Sequence, residues 1–519
     1  MHLLAVSAVV AALGSCSDSN DPVITERDWD TTDFFATTDE ASPSTFYKPS
    51  VGFVADPMPF YDPKAGDFKI MYLQEYRPNR PDTYHPFWCV QTEDGASYKS
   101  LGEMIPTGAA DEQDAALGTG SVFYNEADQT YYAFYTGHAA HAENTGYLEA
   151  VMLATSKDFK TWTKDRSFLL KGEETYSHND FRDPMVFKGD DGKFHMVVST
   201  KRGGKGAIAE YVSDDLRSWT NTGDFMNMMW DRFYECPDVF KMGDWWYLVY
   251  SEMHNALRKV QYFKGRTLEE LKSCTINDAG IWPDSHEGFL DSRGLYAAKT
   301  ASDGTDRYIW GWCATRAGED NSAQLEWGGS LVAHKLIQHE DGTLTLGEIP
   351  AIAAKYSKSR DLKLKSSEGM AKLEGSNLSL EGQSAAVFGR LGKHNRITFS
   401  VKTNGNEDNF GVSFGRGSDV GKWYSLVVNA ESDTNRKINM EEQGPEGRGF
   451  LVNQDGYIFS RPDDNVYNVT ILTDNSVCVV YINDVAAYTN RIYGMSQNCW
   501  SINSYGGKVE VSDIRISEY

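Results

Sequence analysis

The sequence predicts an all-β chain: a five-bladed β-propeller followed by a C-terminal β-sandwich. Three observations lead there. Five turn-plus-aromatic-strand segments recur at roughly 50- to 60-residue spacing, the mark of a radially repeated four-stranded unit. Three of the units open on an acid and a proline: Asp56-Pro57-Met58, Arg182-Asp183-Pro184 and Glu235-Cys236-Pro237. After about Lys358 these signatures stop and short alternating strands follow, while helical periodicity is almost absent throughout.

In chain order, Leu3 to Leu13 is an apolar run too short to span a bilayer as a helix but suited to an export signal. It ends at Leu13-Gly14-Ser15-Cys16, which resembles a bacterial lipobox with Cys16 as the lipidated residue. Residues 1–16 are therefore read as a lipoprotein signal peptide, and the Asp-, Thr- and Ser-rich residues 17–45 as a polar tether. The expectation is an exported outer-membrane lipoprotein, exposed at the cell surface and held only through its lipid, beside proteins that import glycans.

Residues 46–357 carry the repeats. The aromatic segments are Gly66–Tyr72, Asp128–Tyr135, Asp191–Val198, Gly243–Tyr250 and Asp306–Trp312, each read as the second strand of a hairpin entered through an Asp/Gly turn. Two segments, Ser156–Thr163 and Ser213–Thr220, share a Ser-x-Asp-x-x-x-Trp-Thr pattern in which Asp158 and Asp215 are read as turn caps. Residues 358–519 alternate in short strands, such as Ile397–Val401 and Val477–Ile482, separated by Gly, Asn and Asp turns, and are read as the sandwich.

Composition narrows the partners. A formal charge of −24 over 519 residues disfavours nucleic acid and anionic membrane surfaces and leaves a neutral polysaccharide or oligosaccharide open. Aromatics make up 13% of the chain, which suits both β structure and sugar stacking. The cysteines after Cys16 are scattered, without CxxC or metal-ligand spacing, so no metal site, cofactor or essential disulfide is expected.

An innermost propeller strand begins at the channel mouth, so Asp56, Asp183 and Glu235 can share one pocket. Cleavage of a sugar acetal needs one carboxylate as nucleophile or base and another as acid. Arg182, beside Asp183, can pair with a carboxylate or bind a hydroxyl. A lone acid-proline step is an ordinary turn signal; three at equivalent places are not. Trp88 and Trp327 are the tryptophans singled out as sugar platforms, although most tryptophans here are read as core.

These residues resemble glycoside hydrolase family 32, the retaining β-fructosidases. Phe181-Arg182-Asp183-Pro184 is similar to the family's Arg-Asp-Pro motif, and Tyr234 to Phe240 to its Glu-Cys-Pro-Asp segment. Ile309–Trp312, Trp327–Leu331 and Asp341–Leu344 resemble its last blade and exit, and Leu472–Val477 with Val480–Asp484 its sandwich. The resemblance implies hydrolysis of β-fructosidic bonds in levan- or inulin-type fructans, with Asp56 as nucleophile, Glu235 as acid/base and Asp183 as transition-state stabiliser. It also implies substrate contacts from Gln74 and Thr119. The segment Phe53 to Pro59 departs from the family's first motif, with Ala55 in place of Asn and Met58-Pro59 in place of Asn-Gly. That departure raises the expectation of a more open subsite and endo action. Other readings are a fructosyltransferase, a related five-bladed enzyme for arabinan or xylan, and a non-catalytic carbohydrate-binding lipoprotein.

Overall fold

The structure, a computed structural model, describes residues 45–76, 85–227, 233–252, 259–274, 288–405, 408–417, 421–445, 447–495 and 498–519. Cys16 lies outside the described residues. Strand makes up 62% of the chain and helix 4%, so the fold is all-β as expected.

Five sets of strands hairpin outward from an axis. The first blade is β1 (Phe53–Asp62), β2 (Asp67–Glu75), β3 (Phe87–Thr92) and β4 (Lys99–Ile105). The second is β5 (Ala116–Asn125), β6 (Thr130–His138), β7 (Glu149–Ser156) and β8 (Thr163–Lys164). The third is β9 (Phe181–Lys188), β10 (Phe194–Arg202), β11 (Lys205–Ser213) and β12 (Thr220–Asn227). The fourth contains β13 (Tyr234–Met242), β14 (Trp245–Glu252) and β15 (Val260–Gly265), with a bridge from Gln261 to Phe289 beyond them. The fifth is β16 (Leu295–Ser302), β17 (Arg307–Arg316), β18 (Leu325–Gln338) and β19 (Leu344–Gly347). The inner strands β1, β5, β9, β13 and β16 neighbour one another in that order, and β16 returns to β1, which closes five blades.

The five aromatic segments fall in β2, β6, β10, β14 and β17, the second strands. Their rings fill the spaces between blades. Separate apolar cores lie between blades one and two, two and three, three and four, and four and five. The Ser-x-Asp repeats cap turns as read: Asp158 accepts the amides of Lys160 and Thr161 at 2.9 and 2.8 Å, and Asp215 those of Arg217 and Ser218 at 2.8 and 2.7 Å. Trp162 and Trp219 pack beneath them.

The sandwich comprises β20 (Lys358–Arg360), β21 (Leu364–Glu374), β22 (Asn377–Arg390), β23 (His394–Thr403), β24 (Phe410–Phe414), β25 (Trp423–Ala430), β26 (Asn435–Gly444), β27 (Gly447–Ser460), β28 (Val466–Asp474), β29 (Val477–Ile482), β30 (Ala486–Arg491) and β31 (Cys499–Glu518). The long β31 pairs with β24 along its first part and with β23 along its second, so one strand serves both faces around a single apolar core.

A polar seam joins the domains. Arg491 reaches into blade five: its Nε donates to the Ala314 carbonyl at 3.1 Å and its Nη2 to the Cys313 carbonyl and Ser330 Oγ at 3.2 and 3.0 Å. Its Nη1 donates to Ser476 Oγ at 2.7 Å. Asp291 accepts the Thr489 amide and hydroxyl at 2.7 and 2.6 Å and lies 3.4 Å from His334. His334 also bonds the Tyr481 hydroxyl at 2.8 Å, and burial pushes its pKa down to about 3. The seam grips β17 immediately after Trp312, a residue that reaches the channel mouth.

Candidate active site

Every inner strand slips register at the same height. The ladder is interrupted between Ala55 and Met58, Gly118 and Gly120, Glu235 and Asp238, and Tyr296 and Lys299, and in β9 opposite Val197 and Ser199. These are β-bulges, which bend a strand and re-aim its side chains. In four of them a non-glycine residue takes positive φ: Asp56 at 34°, Asp183 at 61°, Cys236 at 51° and Ala297 at 51°. That backbone is unfavourable for a residue with a Cβ and is held by its surroundings. Pro57, Pro184 and Pro237 follow three of the strained residues, and a proline fits where a ladder donor is absent.

The acid-proline steps are thus bulge signals, but the three acids are not equivalent. Asp56 and Asp183 are the bulged residues themselves. Glu235 precedes its bulge and stands where blade one has Ala55 and blade three has Arg182, with Cys236 as the strained residue. The one-residue offset gives Glu235 a different approach to the axis.

A chain of hydrogen bonds links the blades around the mouth. Trp312 Nε1 donates to Asp56 Oδ1 at 2.9 Å, from blade five to blade one. Thr119 Oγ1 donates to the Asp56 carbonyl at 3.4 Å, and the Asp183 amide donates to Thr136 Oγ1 at 2.8 Å. The Cys236 amide donates to Asp183 Oδ2 at 2.8 Å. Arg182 Nη2 donates to Glu235 Oε1 at 3.1 Å, and the Tyr296 hydroxyl to Glu235 Oε2 at 2.6 Å. Lys299, only 2% exposed, crosses from blade five to the Gly120 carbonyl at 2.7 Å.

Both aspartates sense the Glu235 charge. Burial raises Asp56 to about 6; the Trp312 bond opposes this, the Glu235 charge adds to it, and His85 and Lys299 temper it. Burial raises Asp183 to about 7, with Arg182 opposing, Glu235 adding, and Lys299 and the Cys236 amide opposing. Arg182 stays protonated because Glu149, Glu235 and Asp183 outweigh the cost of its burial. Burial pushes Glu149 up, but bonds from His138, Arg182 and the Phe181 amide prevail and hold it below its ordinary value. Arg182 also lies over the Phe233 ring at 3.9 Å, so both its charge and its plane are fixed.

The remaining expected contacts divide. Gln74 is buried; its Nε2 donates to the Val51 carbonyl at 2.5 Å, and its Oε1 has no hydrogen-bond partner among the described residues. Trp327 is 37% exposed at the rim, its ring 4.6 Å from that of His85. Thr119 sits on the blade-two bulge with its hydroxyl committed to the Asp56 backbone, which makes it a brace between blades. Trp88 is not brought to the acid cluster: it stands half-buried on β3, two strands out from the axis, packed against the core shared by blades one and five and the sandwich. The departures at Ala55 and Met58 also read differently in three dimensions, because both side chains are buried in the core between blades one and two. They do not by themselves open the mouth.

Sequence reasoning missed Tyr296, Lys299, Glu149 and the role of Trp312. Blade five has Ala297-Ala298 at its bulge, so no acid-proline step flags it. The usable signal was the aligned inner strand, in which Tyr296-Ala297-Ala298-Lys299 matches Glu235-Cys236-Pro237-Asp238 and puts a lysine at a buried position.

Residues 46–348 match the model of the glycosyl hydrolases family 32 N-terminal domain, and residues 342–516 that of the GH32, BT1760-like, C-terminal domain. Among curated proteins the chain is 23% identical over 228 residues to a fructan 6-exohydrolase of Beta vulgaris, covering 40% of this chain and 38% of that protein. It is 23% identical over 325 residues to a sucrose-6-phosphate hydrolase of Vibrio alginolyticus, covering 60% and 64%. These matches span about a third to two thirds of the relatives' lengths. Among solved structures, a sucrose-6-phosphate hydrolase from Lactobacillus gasseri superposes with TM-score 0.69 at 18% identity, over 95% of each chain. Fructan 1-exohydrolase IIa from Cichorium intybus does so with TM-score 0.69 at 15% identity, over 92% of this chain and 98% of that one. With a propeller model that covers more than half its length, acids gathered at the propeller mouth and a matching sandwich behind them, this chain belongs to glycosyl hydrolase family 32.

Proposed function

We propose that the protein hydrolyses β-fructosidic bonds of levan- or inulin-type fructans with retention of configuration. The observation that carries this reading is the oriented acid cluster: Asp56 held by Trp312, and Glu235 held between Arg182 and Tyr296, in a family 32 propeller. The names of the relatives, fructan exohydrolases and sucrose-6-phosphate hydrolases, support the bond type.

In the first step an Asp56 oxygen attacks the anomeric carbon while Glu235 gives its proton to the glycosidic oxygen. A fructosyl ester forms and the shortened sugar leaves. In the second step Glu235, now a carboxylate, takes a proton from water. The hydroxide oxygen bonds to the anomeric carbon, and the ester to Asp56 breaks. Trp312 donates to the ionised form of Asp56, which favours the nucleophile. Asp183 binds ring hydroxyls and stabilises the charge that develops on the ring. Gln74 offers its unpartnered Oε1 to a hydroxyl.

Cleavage within the chain is the finer reading. It is supported by the exposed Trp327–His85 pair, which gives a further sugar a surface to stack on beyond the cleaved unit. Export and lipidation at Cys16 remain part of the proposal, on the strength of the apolar Leu3–Leu13 run and the Leu13–Cys16 segment.

The test is incubation of purified protein with levan, inulin, sucrose and arabinan, with early products separated and their anomeric configuration read by proton NMR. Oligomers released from levan or inulin support internal cleavage, and fructose alone replaces it with exo action. No release from any β-fructoside overturns the proposal. Metabolic labelling with palmitate, lost in Cys16→Ala, tests the anchor.

A further inference from the structure

A second concave site lies on the sandwich, away from the propeller mouth. It is a cleft of about 680 Å3 between β20 and the loop after it, the end of β22, the turn into β23 and the end of β31. Lys358, Arg360, Lys363, Arg390 and Lys393 line it. Among the described residues the side-chain carboxylates on its lining are Asp361 and Glu518, so five cationic side chains face two acidic ones within a chain whose formal charge is −24.

Arg360 is occupied with Glu518 at 3.1 Å. Among the described residues no carboxylate lies in ion-pair range of Lys358, Lys363 or Arg390. One wall is His394, stacked with Tyr519 at 4.9 Å and 21°, its Nδ1 3.0 Å from Asp474 Oδ1. The floor includes edges of the stacked pair Phe388 and Trp500.

Like charges gathered in a concavity repel, and the low-dielectric walls concentrate their field. A ligand that carries negative charge relieves this, through charge-assisted hydrogen bonds to the arginine and lysines. Half-buried Leu362 and His394 on the lining give such a ligand's body an apolar contact. An anionic bilayer meets the repulsion of the whole acidic chain. A long nucleic acid meets the repulsion of the whole acidic chain.

We propose that this cleft binds an anionic saccharide, one that bears carboxylate, sulfate or phosphate groups. The site is separate from the acid cluster and does not depend on the fructan reading. In a glycan mixture it would hold the enzyme against charged polymer while the propeller cuts a neutral one.

The experiment measures binding of oligogalacturonate and dextran sulfate oligosaccharides to the exported chain by calorimetry, at low and at 0.5 M salt, with neutral dextran oligosaccharides as control. The expected result is a dissociation constant below about 1 mM at low salt for at least one anionic probe. It should weaken at least about tenfold at high salt, as expected for screened charges. The charge-reversed double variant K363E/R390E should weaken it similarly, with an unchanged melting temperature showing that the fold survives. Absence of binding by either anionic probe overturns the proposal, as does equal binding by the variant or equal binding of neutral dextran. Variant-sensitive binding to phosphatidylglycerol vesicles without saccharide binding also overturns it, in favour of a membrane contact.

Discussion

The channel mouth and the propeller–sandwich seam both bury ionisable side chains, and they resolve the cost in opposite ways. At the seam Arg491, Asp291 and His334 are compensated or neutral. The Arg491 guanidinium donates to two carbonyls and two hydroxyls, Asp291 accepts two bonds from Thr489, and His334 gives up its proton. At the mouth three carboxylates face one another across strained backbone, and burial and mutual repulsion raise Asp56 and Asp183. Burial of polar groups therefore does not mark the site. Under-compensated like charge does, because a group poised to change protonation cannot also be locked into one state.

The largest effect tests that contrast at its centre. Asp56→Asn and Glu235→Gln should each lower turnover on fructan by about 10³-fold or more, because each removes a reacting group. Melting temperatures should stay within a few degrees or rise. A variant that kept turnover but lost stability would make the mouth a structural cluster like the seam.

Arg491→Met should do the reverse. Stranding two carbonyls and two hydroxyls in the interior should cost about 3 kcal/mol or more in urea unfolding, with turnover at 25 °C within about threefold of the parent. A collapse of turnover in a variant still folded would mean that the seam positions Trp312 closely enough to belong to the active site.

Lys299→Met sharpens the picture from inside the channel. Its charge lowers both Asp56 and Asp183, so its removal should make both harder to ionise. The acid limb of the kcat/KM profile should move to higher pH, with turnover near pH 6 falling roughly tenfold. An unmoved limb would leave Lys299 only its bond to Gly120.

The smallest effect is a pair of opposite signs in stability. Asp183 has a folded pKa of about 7 against an ordinary value of 3.8, so its contribution is present below about pH 4 and lost as pH rises through 7. His334 has a folded pKa of about 3 against 6.5, so its contribution is present above pH 6.5 and lost as pH falls towards 3. Relative to the parent, Asp183→Asn should gain a few degrees in melting temperature on going from pH 4 to pH 8. His334→Gln should gain on going from pH 7 to pH 4. Parallel curves for either variant would remove the distinction between the two clusters.

What was legible in the sequence was local. The second strands announced themselves through aromatics after Asp/Gly turns, because one face of each must fill the gap between blades. Asp56-Pro57, Asp183-Pro184 and Cys236-Pro237 were legible because a proline after a strained residue marks a bulge within three positions of the chain. The distance of Trp88 from the acid cluster was not legible, since an aromatic on an outer strand has the same local pattern whether it faces a core or a ligand. The departures at Ala55 and Met58 misled for a similar reason, because the bulge turns both side chains into the core.

By itself, then, the sequence determined the propeller, the sandwich and which acids share a pocket, all of which follow from repeating local patterns. Only the tertiary structure decided how those acids are held. Trp312 meets Asp56 across 256 positions, and Tyr296 meets Glu235 across 61. Both contacts exist because the last blade closes on the first and fourth around one axis. The offset of Glu235 and the buried Lys299 belong to the same level of the ring, where every inner strand bulges whatever residues it carries.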